Sequence, residues 1–372
     1  MRILAIESSC DETAAAVVED GVKILSNVVA SSHEMHEKYG GIVPEVAARK
    51  QLESIIPVIK EALAPLSRQP ITNYQLPITQ SIDAIAVTVG PGLIGSLLVG
   101  VETAKTMSFV LNKPIIPVNH VLAHMYANFV HPVIARNEVT KQSIIKRLPR
   151  SENGARNDIN IEFPAISLVV SGGHTELYLM ESARKLRWLG GTLDDAAGEC
   201  FDKTARLLGF GYGGGLAIQD AAKSYHVSRI TYHAKLPRPM LDKKNELNFS
   251  FSGLKTAILR ETQKYETLTE DIRAAFSHEV QEAITDVLVK KTLFAADKYN
   301  VKSILLSGGV SANLRLRDKF MIHDSEFKIH VPPVELCTDN AVYIAAYAYF
   351  RGKQEDWNKI DAYPDLSVEI QA

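Results

Sequence analysis

Two histidines stand four residues apart in the segment VNHVLAHMYANF, residues 118–129. In a helix, residues at this spacing lie on one face, so the rings of His120 and His124 would leave it in the same direction. Two neutral imidazoles form a partial metal chelate, which a carboxylate from elsewhere would complete while leaving coordination positions open to a substrate. No glutamate follows the first histidine directly, so the zinc-peptidase arrangement does not fit. Taken alone, such a pair is more often explained by packing or hydrogen bonding than by metal binding, and half of a metal site is the alternative.

Two further residues bear on this site. Asn119 precedes the first histidine and is a residue type that caps helix starts, which predicts a helix beginning at His120. Asp339, in the late segment CTDNAVYIAAYA, offers a carboxylate at a predicted helix start. An aspartate there can also serve as an N-cap, so the sequence pattern alone leaves both interpretations open.

Turns of small residues follow several predicted strands. The segments ILAIESSCDETAAAVV and ISLVVSGGHTELYLM each contain an apolar strand, a small polar turn and a second strand, about 160 residues apart, which indicates a duplicated unit. A third such turn, in SILLSGGVSANLRLRDKF, leads from a strand into a helix. Small residues let backbone N–H groups approach an anion closely, so three such turns favour phosphate binding over simple hairpin closure.

Gly90, Gly92 and Gly95 formally satisfy a dinucleotide-binding fingerprint, because they follow a predicted strand and precede a predicted helix. Pro91, however, removes one backbone donor from the turn. No Asp or Glu lies near residue 115, where a ribose contact would be expected. We therefore interpret this segment as a tight strand-to-helix crossing with close packing at the glycines.

The segment TLDDAAGECFDKTARLLG carries Asp195, Glu199 and Asp202 at spacings of four and three, which places them on one face of a predicted helix. Carboxylates in this arrangement could bind ribose hydroxyls. Asp194 and Asp195 have a second interpretation, because acidic residues stabilise a helix N-terminus electrostatically. The glycine-rich GFGYGGG that follows either lets a ligand lie against the backbone or simply ends the helix.

The composition bounds the class of protein. The chain has 372 residues, and 46% are apolar, which is enough for two domains with their own cores. A formal net charge of −2 gives no general attraction to polyanions, so nucleic-acid contacts would need local basic patches or a partner. Three widely separated cysteines disfavour a disulfide framework and fit a reducing, cytoplasmic compartment: Cys10, Cys200 and Cys337. Neither a leader segment nor an apolar run of membrane-spanning length is expected.

Short β-branched runs alternate with helical patterns, which is typical of α/β layers. The predicted strands are Ile3–Ile6, Ala84–Val89, Ile115–Val118, Ser167–Val170 and Ile304–Leu306. Two polar segments, 65–81 and 135–161, are expected to be surface loops or insertions. The second carries six basic residues against three acidic ones and could contact RNA, although a solvated loop is the simpler interpretation.

Together, these motifs resemble those of the tRNA N6-adenosine threonylcarbamoyltransferase family, in its bacterial or organellar branch. Nine segments occur in the order found in that family: IESSCDET, GGIVPEVAAR, VGPGLIGSLLVGVETAK, VNHVLAHM, VSGGHTEL, DDAAGECFDKTARLLG, FSFSGLKT, SGGVSANLRLR and CTDNAVYIA. The resemblance implies the actin/heat-shock/sugar-kinase (ASKHA) fold, an α/β architecture of two duplicated RNase H-like lobes with a nucleotide cleft between them. The N-terminal lobe would comprise residues 1–118 and 343–372, and the C-terminal lobe residues 119–342.

The resemblance also implies the site residues. His120, His124 and Asp339 correspond to the family's metal site, which usually holds iron, although two histidines and a carboxylate suit zinc as well. The family's substrate contacts correspond to Val170, Ser171, Gly172, Gly173, His174, Asp202, Gly215 and Asn313. His174 and Asp11 are the candidate catalytic residues, with Asp11 orienting the attacking amine or its proton.

The implied reaction transfers the threonylcarbamoyl group from threonylcarbamoyl-AMP to the N6 amine of adenosine 37, in tRNAs that read codons starting with A. The implied partners are tRNA, a paralogous subunit of the TsaB type and an ATPase of the TsaE type, with no membrane. Two rival functions are an ATP-dependent phosphotransferase of the same fold and a non-catalytic nucleotide-binding subunit of an RNA-modification complex. A phosphotransferase would not need the two histidines and Asp339.

This chain departs from the family pattern at one glycine-rich helix start. Relatives often have two prolines and an aspartate where this chain has Gly213, Leu216 and Gln219. Asp220 lies one residue further on, about 100° round a helix. Either Gln219 or Asp220 would have to take the place of the family's ribose contact.

Overall fold

The computed structural model describes most of the chain. The described residues are 1–32, 35–36, 39, 41–66, 81–130, 161–211, 213–225, 235–242 and 246–369. Nearly all of the two expected surface loops, and with them the six basic residues of the 135–161 insertion, lie outside the described residues.

The first sheet has five strands in the order β3-β2-β1-β4-β5. The strands are β1 Arg2–Glu7, β2 Glu12–Glu19, β3 Lys23–Ser31, β4 Ala84–Gly90 and β5 Ile115–Asn119. Strand β1 pairs antiparallel with β2 and parallel with β4, and β4 pairs parallel with β5. Every residue of β4 is buried, as its apolar sequence AIAVTVG requires for a central strand covered on both faces.

The second sheet repeats this arrangement in the order β10-β9-β6-β7-β8. The strands are β6 Ala165–Val170, β7 Thr175–Met180, β8 Leu186–Gly191, β9 Ser303–Ser307 and β10 Lys328–His330. Strand β6 pairs antiparallel with β7 and parallel with β9, as β1 does with β2 and β4. The predicted duplication and the five predicted strands are therefore confirmed.

Helices cover the sheets. Those in the described part of the chain are α1 Pro44–Leu63, α2 Ile94–Leu111, α3 His120–His124, α4 Ala197–Leu207, α5 Gly214–Lys223, α6 Ser252–Thr262, α7 Glu270–Lys298, α8 Leu314–Met321 and α9 Val342–Phe350. Short 3₁₀ turns occur at Ala64–Leu66, Met125–Phe129, Gly309–Ala312, Val334–Leu336 and Trp357–Lys359.

Helix α9 returns the chain to the first sheet, where it packs on β1 and β2 and against α3. Its apolar sequence VYIAAYAYF is buried along almost its whole length, in the core that also contains residues of β5 and α3. This packing brings the segment just before α9 next to the two histidines. The division of the lobes at 118/119 and 342/343 stays a prediction.

The segment from Gly90 to Gly95 is the predicted strand-to-helix crossing between β4 and α2. A Cβ atom on Gly92 would lie 2.4 Å from the Ser9 carbonyl oxygen, so only glycine allows this approach.

Helix α2 contradicts the expectation that no apolar run is long enough to span a membrane, because its 18 residues are long and apolar enough by length and composition alone. It nevertheless packs on β4 and α1, and 39% of it is buried.

Candidate metal centre and adjoining cavity

The two histidines lie on a short helix that begins where strand β5 ends. Helix α3 spans His120–His124, and the Asn119 side chain accepts a hydrogen bond of 3.1 Å from the Leu122 N–H. The predicted cap and helix start are therefore confirmed. The two rings meet edge to face with their centroids 4.8 Å apart, and both residues are buried.

Asp339 lies against both rings. Its Oδ1 atom is 3.4 Å from His124 Nε2 and 3.7 Å from His120 Nε2. Ligand atoms about 2.1 Å from a metal ion, at tetrahedral angles, lie about 3.4 Å from one another. The two distances to Asp339 Oδ1 are close to this value, and the three donor atoms all lie within 4.8 Å of one another, which makes them a candidate ligand set for one ion.

Unsatisfied nitrogens support this assignment. Within the part of the chain that the structure describes, neither ring nitrogen of His124 has a hydrogen bond of acceptable geometry, although both atoms are buried. A buried polar atom left without a partner costs about 1–3 kcal/mol, so such atoms usually have a ligand or water. The two imidazoles and one carboxylate, together with the unsatisfied Nε2 atom of His124, fit a divalent metal ion.

The N-cap interpretation of Asp339 is not supported. The side chain that accepts from the first turn of α9 is that of Asn340, whose Oδ1 is 2.9 Å from the Val342 nitrogen. Asp339 instead accepts a hydrogen bond of 3.3 Å from the Tyr343 hydroxyl, whose ring also packs against His124. Its carboxylate therefore points into the histidine pair.

The electrostatics of the cluster favour a cation. Burial acts to lower the pKa of His120, but the carboxylates of Glu7 and Asp339 outweigh it and raise the pKa to about 9. Burial lowers the pKa of His124. Burial also opposes ionisation of Asp339, yet the histidines beside it hold the pKa of that carboxyl well below its usual range. A proton on His120 and a bound metal ion therefore compete for the same negative charge.

Two residues of this site are missed by sequence reasoning, Glu7 and Tyr343. Glu7 Oε2 lies 3.0 Å from His120 Nδ1, on the side of the ring opposite Asp339. The available signal is a carboxylate at the end of strand RILAIE, directly after four apolar residues. Tyr343 carries no such signal, because an aromatic residue in an apolar helix is typical of a core.

The turn between β6 and β7 lies beside the metal centre. Ser171 N–H donates to the His174 carbonyl, and Ser171 Oγ accepts from the His174 N–H. Cβ atoms on Gly172 or Gly173 would meet nothing within 4 Å, so both backbones are open to a ligand. Burial, followed by the charges of His120 and His124, lowers the pKa of His174 to about 4, so this ring is neutral at pH 7.

Two of the three small-residue turns line one cavity of about 250 Å³. Gly172 and Gly309 come from the turns, and Asp202, Gly215 and Asn313 lie opposite them. Burial raises the pKa of Asp202, although backbone N–H groups of the α5 start donate to its carboxylate. The first turn is different, since Ser8 Oγ donates to the Ser96 carbonyl at 2.9 Å and so packs against α2.

A second cavity, of about 490 Å³, is lined by His174. Its walls are Pro91, Gly92 and the C-terminal segment 364–369. That segment joins both halves of the molecule, because the Pro364 carbonyl accepts from Gly92 and the Val368 carbonyl accepts from the Tyr178 hydroxyl. His174 is therefore accessible from a cleft as well as close to the metal centre.

Gln219 stands where relatives in the family often have an aspartate at this helix start. Its side chain lines the 250 Å³ cavity, and its Oε1 accepts from the Leu314 nitrogen at 2.7 Å. Asp220 is paired with Lys223 at 2.7 Å on the exposed face of the same helix. Of the two candidates, Gln219 is the residue at the cavity.

Other acidic residues have structural partners. Asp194 accepts hydrogen bonds from the backbone N–H and the side-chain hydroxyl of Ser252. Ser252 begins α6, whereas Asp194 itself precedes α4. Its hydrogen-bond partners therefore belong to a second helix start that the chain folds onto it, and its electrostatic effect on its own helix stays a prediction. Asp195 and Glu199 both form ion pairs with Lys203. Asp11 is buried on the β1–β2 turn, where its carbonyl accepts from Ser32.

The two duplicated sheets define a protein of the actin/heat-shock/sugar-kinase fold, and the buried histidine–aspartate cluster gives it a candidate metal site. Similarity to solved structures agrees on the fold. HypF from T. kodakarensis aligns with a TM-score of 0.55 at 14% identity, covering 94% of this chain and 47% of that one.

The profile of the family described as tRNA N6-adenosine threonylcarbamoyltransferase matches residues 23–136 and 151–346. Proteins of that name from Persephonella marina and Kosmotoga olearia are 45% and 44% identical to this chain. The alignments cover 95% and 99% of this chain and 91% and 99% of the relatives. The chain belongs to this family of tRNA-modifying acyltransferases, as its motifs predict.

Proposed function

We propose that this protein transfers the threonylcarbamoyl group from threonylcarbamoyl-AMP to the N6 amine of adenosine 37, in tRNAs that read codons starting with A. One observation carries the proposal in a chain of this family. The cluster of His120, His124 and Asp339 lies beside the glycine turn that borders both cavities, so an acyl group and a nucleotide can meet there.

The metal ion in this proposal is Fe²⁺, with Zn²⁺ as the alternative, one per chain. The three side chains would hold it through two imidazole nitrogens and one carboxylate oxygen, a donor set that suits both ions. When bound, the ion supplies Lewis-acid polarisation of the carbamoyl carbonyl.

The chain's own groups divide the remaining work. The open amides of Gly172 and Gly173 and the neutral His174 ring bind the threonylcarbamoyl oxygens. Asp202, Gly215 and Asn313 bind the adenylate in the 250 Å³ cavity, together with Val170 and Ser171 at the end of β6.

In the transfer, the N6 amine attacks the carbamoyl carbon, a C–N bond forms, the bond from that carbon to the phosphate oxygen breaks, and AMP leaves. The amine loses one proton. His174 lines the 490 Å³ cavity from which the amine can approach, so its neutral ring is the proposed hydrogen-bond acceptor of the amine, and the proton passes on to water because a ring with a pKa of about 4 does not retain it. Asp11 is a second candidate for orienting the amine.

The proposal includes partner proteins, a paralogous subunit of the TsaB type and an ATPase of the TsaE type. Apolar side chains on α1 and α2 support a docking surface, since Leu52 is 64% exposed and Ile56, Ile94 and Leu98 are exposed as well. Exposed apolar patches mark protein interfaces. The net charge of −2 also suggests that a partner helps to bind tRNA in the cytoplasm.

The test uses the purified full chain, alone and with the two partner types. Bound metal is measured, and labelled threonylcarbamoyl-AMP is offered with tRNA. Label in tRNA that depends on the metal and on the adenosine supports the proposal. ATP-dependent phosphorylation of a small molecule without labelled tRNA would favour the phosphotransferase, and binding of nucleotide without either reaction would favour the non-catalytic subunit.

A further inference from the structure

Glu7 is a fully buried carboxylate at the end of β1, directly after four apolar residues. Burial of a carboxylate is costly unless donors surround it. Ser9 N–H donates to Oε1 at 2.6 Å, and the Thr88 hydroxyl donates to Oε2 at 2.6 Å. His120 Nδ1 is the third neighbour, 3.0 Å from Oε2.

Sheet register brings these groups together. Ile6 pairs with Val87 across β1 and β4, so the next residues, Glu7 and Thr88, lie side by side at the end of β1. Strand β5 lies on the other side of β4 and ends at Asn119, directly before His120. The carboxylate is therefore held by two neighbouring strands against the first residue of α3.

The His120 ring spans two carboxylates, with Nδ1 towards Glu7 and Nε2 towards Asp339. A neutral imidazole carries one proton, on either nitrogen. As a carboxylate Glu7 can only accept, so its 3.0 Å contact with the ring places the proton on Nδ1, and the Ser9 hydroxyl, 3.2 Å from the same nitrogen, then serves as a second acceptor. Nε2 then carries the lone pair, and it faces the metal centre.

We propose that Glu7 is a positioning residue, which fixes the tautomer and orientation of His120 so that Nε2 is available to the metal ion. Carboxylates that accept from a metal-bound histidine act in this way in other metal sites. This inference rests on the metal centre of the proposed function. His124 has no such partner within the described residues, because its Nδ1 makes no hydrogen bond.

Glu7→Gln tests the proposal sharply, because a glutamine has nearly the same shape but only one accepting oxygen. If that oxygen faces His120 and Thr88, the amide NH₂ faces the Ser9 N–H, and two donors oppose each other. If it faces Ser9, the NH₂ faces His120 Nδ1 and favours the tautomer whose Nε2 carries the proton. The first arrangement replaces the charged acceptor of His120 by a neutral one, and the second puts the proton on Nε2, so each makes Nε2 a poorer ligand.

The experiment compares metal affinity in the full-length chain after removal of metal by a chelator. Zn²⁺ affinity is measured by competition with a coloured chelator, and the Co²⁺ absorption spectrum reports the ligand geometry. Glu7→Gln is expected to weaken Zn²⁺ binding by about 10- to 100-fold and to change the Co²⁺ spectrum.

Glu176→Gln is the matched control, because Glu176 is also a buried strand glutamate, bonded at 2.7 Å to Trp188 Nε1 in the other sheet. It should keep its affinity within about threefold of the unmodified chain, since distant sites act independently. Folding of each metal-free variant is checked by circular dichroism and melting temperature.

The outcomes separate this inference from the proposed function. Metal binding by the unmodified chain, with unchanged affinity and spectrum in folded Glu7→Gln, overturns the role of Glu7 alone. No metal binding by the unmodified chain overturns both. If Glu7→Gln does not fold, nitrogen-15 NMR of the Zn²⁺-loaded unmodified chain decides: a proton on His120 Nδ1 with Nε2 metal-bound supports the inference, and the reverse tautomer refutes it.

Discussion

Asp339→Asn removes one negative charge from the metal centre and changes little else. The two side chains are nearly equal in size, and the amide oxygen can still accept from the Tyr343 hydroxyl, 3.3 Å away. The first turn of α9 keeps its acceptor, because that role belongs to Asn340. The variant is therefore expected to fold.

The magnitude follows from the donor set. Oδ1 of Asp339 is the atom within 3.4–3.7 Å of both Nε2 atoms, so the substitution replaces the single anionic donor by a weak neutral one. Even supporting residues around a metal cost 10–100-fold in affinity, so we expect a loss of about 100-fold or more here. At a metal concentration of 100 times the original Kd, the stabilisation by metal then falls from about 2.7 to about 0.4 kcal/mol.

The assay measures metal content, melting temperature with and without metal, and transfer to tRNA. We expect the metal-induced rise in melting temperature almost to disappear and transfer to fall with metal occupancy. High metal concentration should restore part of both, because mass action offsets lost affinity. Unchanged occupancy and unchanged transfer in the folded variant would refute the three-residue site.

Three further predictions concern other positions. His174→Ala should reduce transfer strongly at nearly unchanged melting temperature, because the ring borders an open cavity; a proportionate loss of stability would indicate a structural role instead. Asn119→Ala should lower the free energy of unfolding by about 1–2 kcal/mol, because it removes both the α3 cap and the hydrogen bond from Asn119 Nδ2 to the Ser367 carbonyl, and Asn119→Asp should recover only the contribution of the cap, as measured by denaturant titration. Burial raises the pKa of Glu176 to about 7 from an ordinary value of 4.5, so the folded state binds its proton more tightly than the unfolded state. The free energy of unfolding should therefore fall as pH rises between about 4.5 and 7, and Glu176→Gln should flatten that slope in unfolding curves recorded across this range.

Much of the fold is local in origin and could be predicted from the sequence. A strand, a small polar turn and a second strand recur in the two segments that form β1–β2 and β6–β7, because each hairpin depends on neighbouring residues. Helix α3 was predictable for the same reason, since its cap and the spacing of its histidines involve consecutive residues.

The order of motifs also identified the family and the three candidate ligands, which the structure brings together. Matching motifs in this way identifies site residues where this chain has the same residue types as the family. It was weaker at the α5 start, where the family's aspartate is missing, and only the direction of the helix face distinguished Gln219 from Asp220.

The sequence by itself determined the duplicated α/β elements, the family and the spacing of the two histidines, because these depend on local periodicity and motif order. Tertiary structure alone decided which distant groups meet. The register of β1 with β4 brings Glu7 beside Thr88 and His120, and the folding of α6 onto Asp194 gives that carboxylate its partners. Such contacts join residues more than 50 positions apart, and no local pattern encodes them because sheet register and packing set them only when the whole chain has folded.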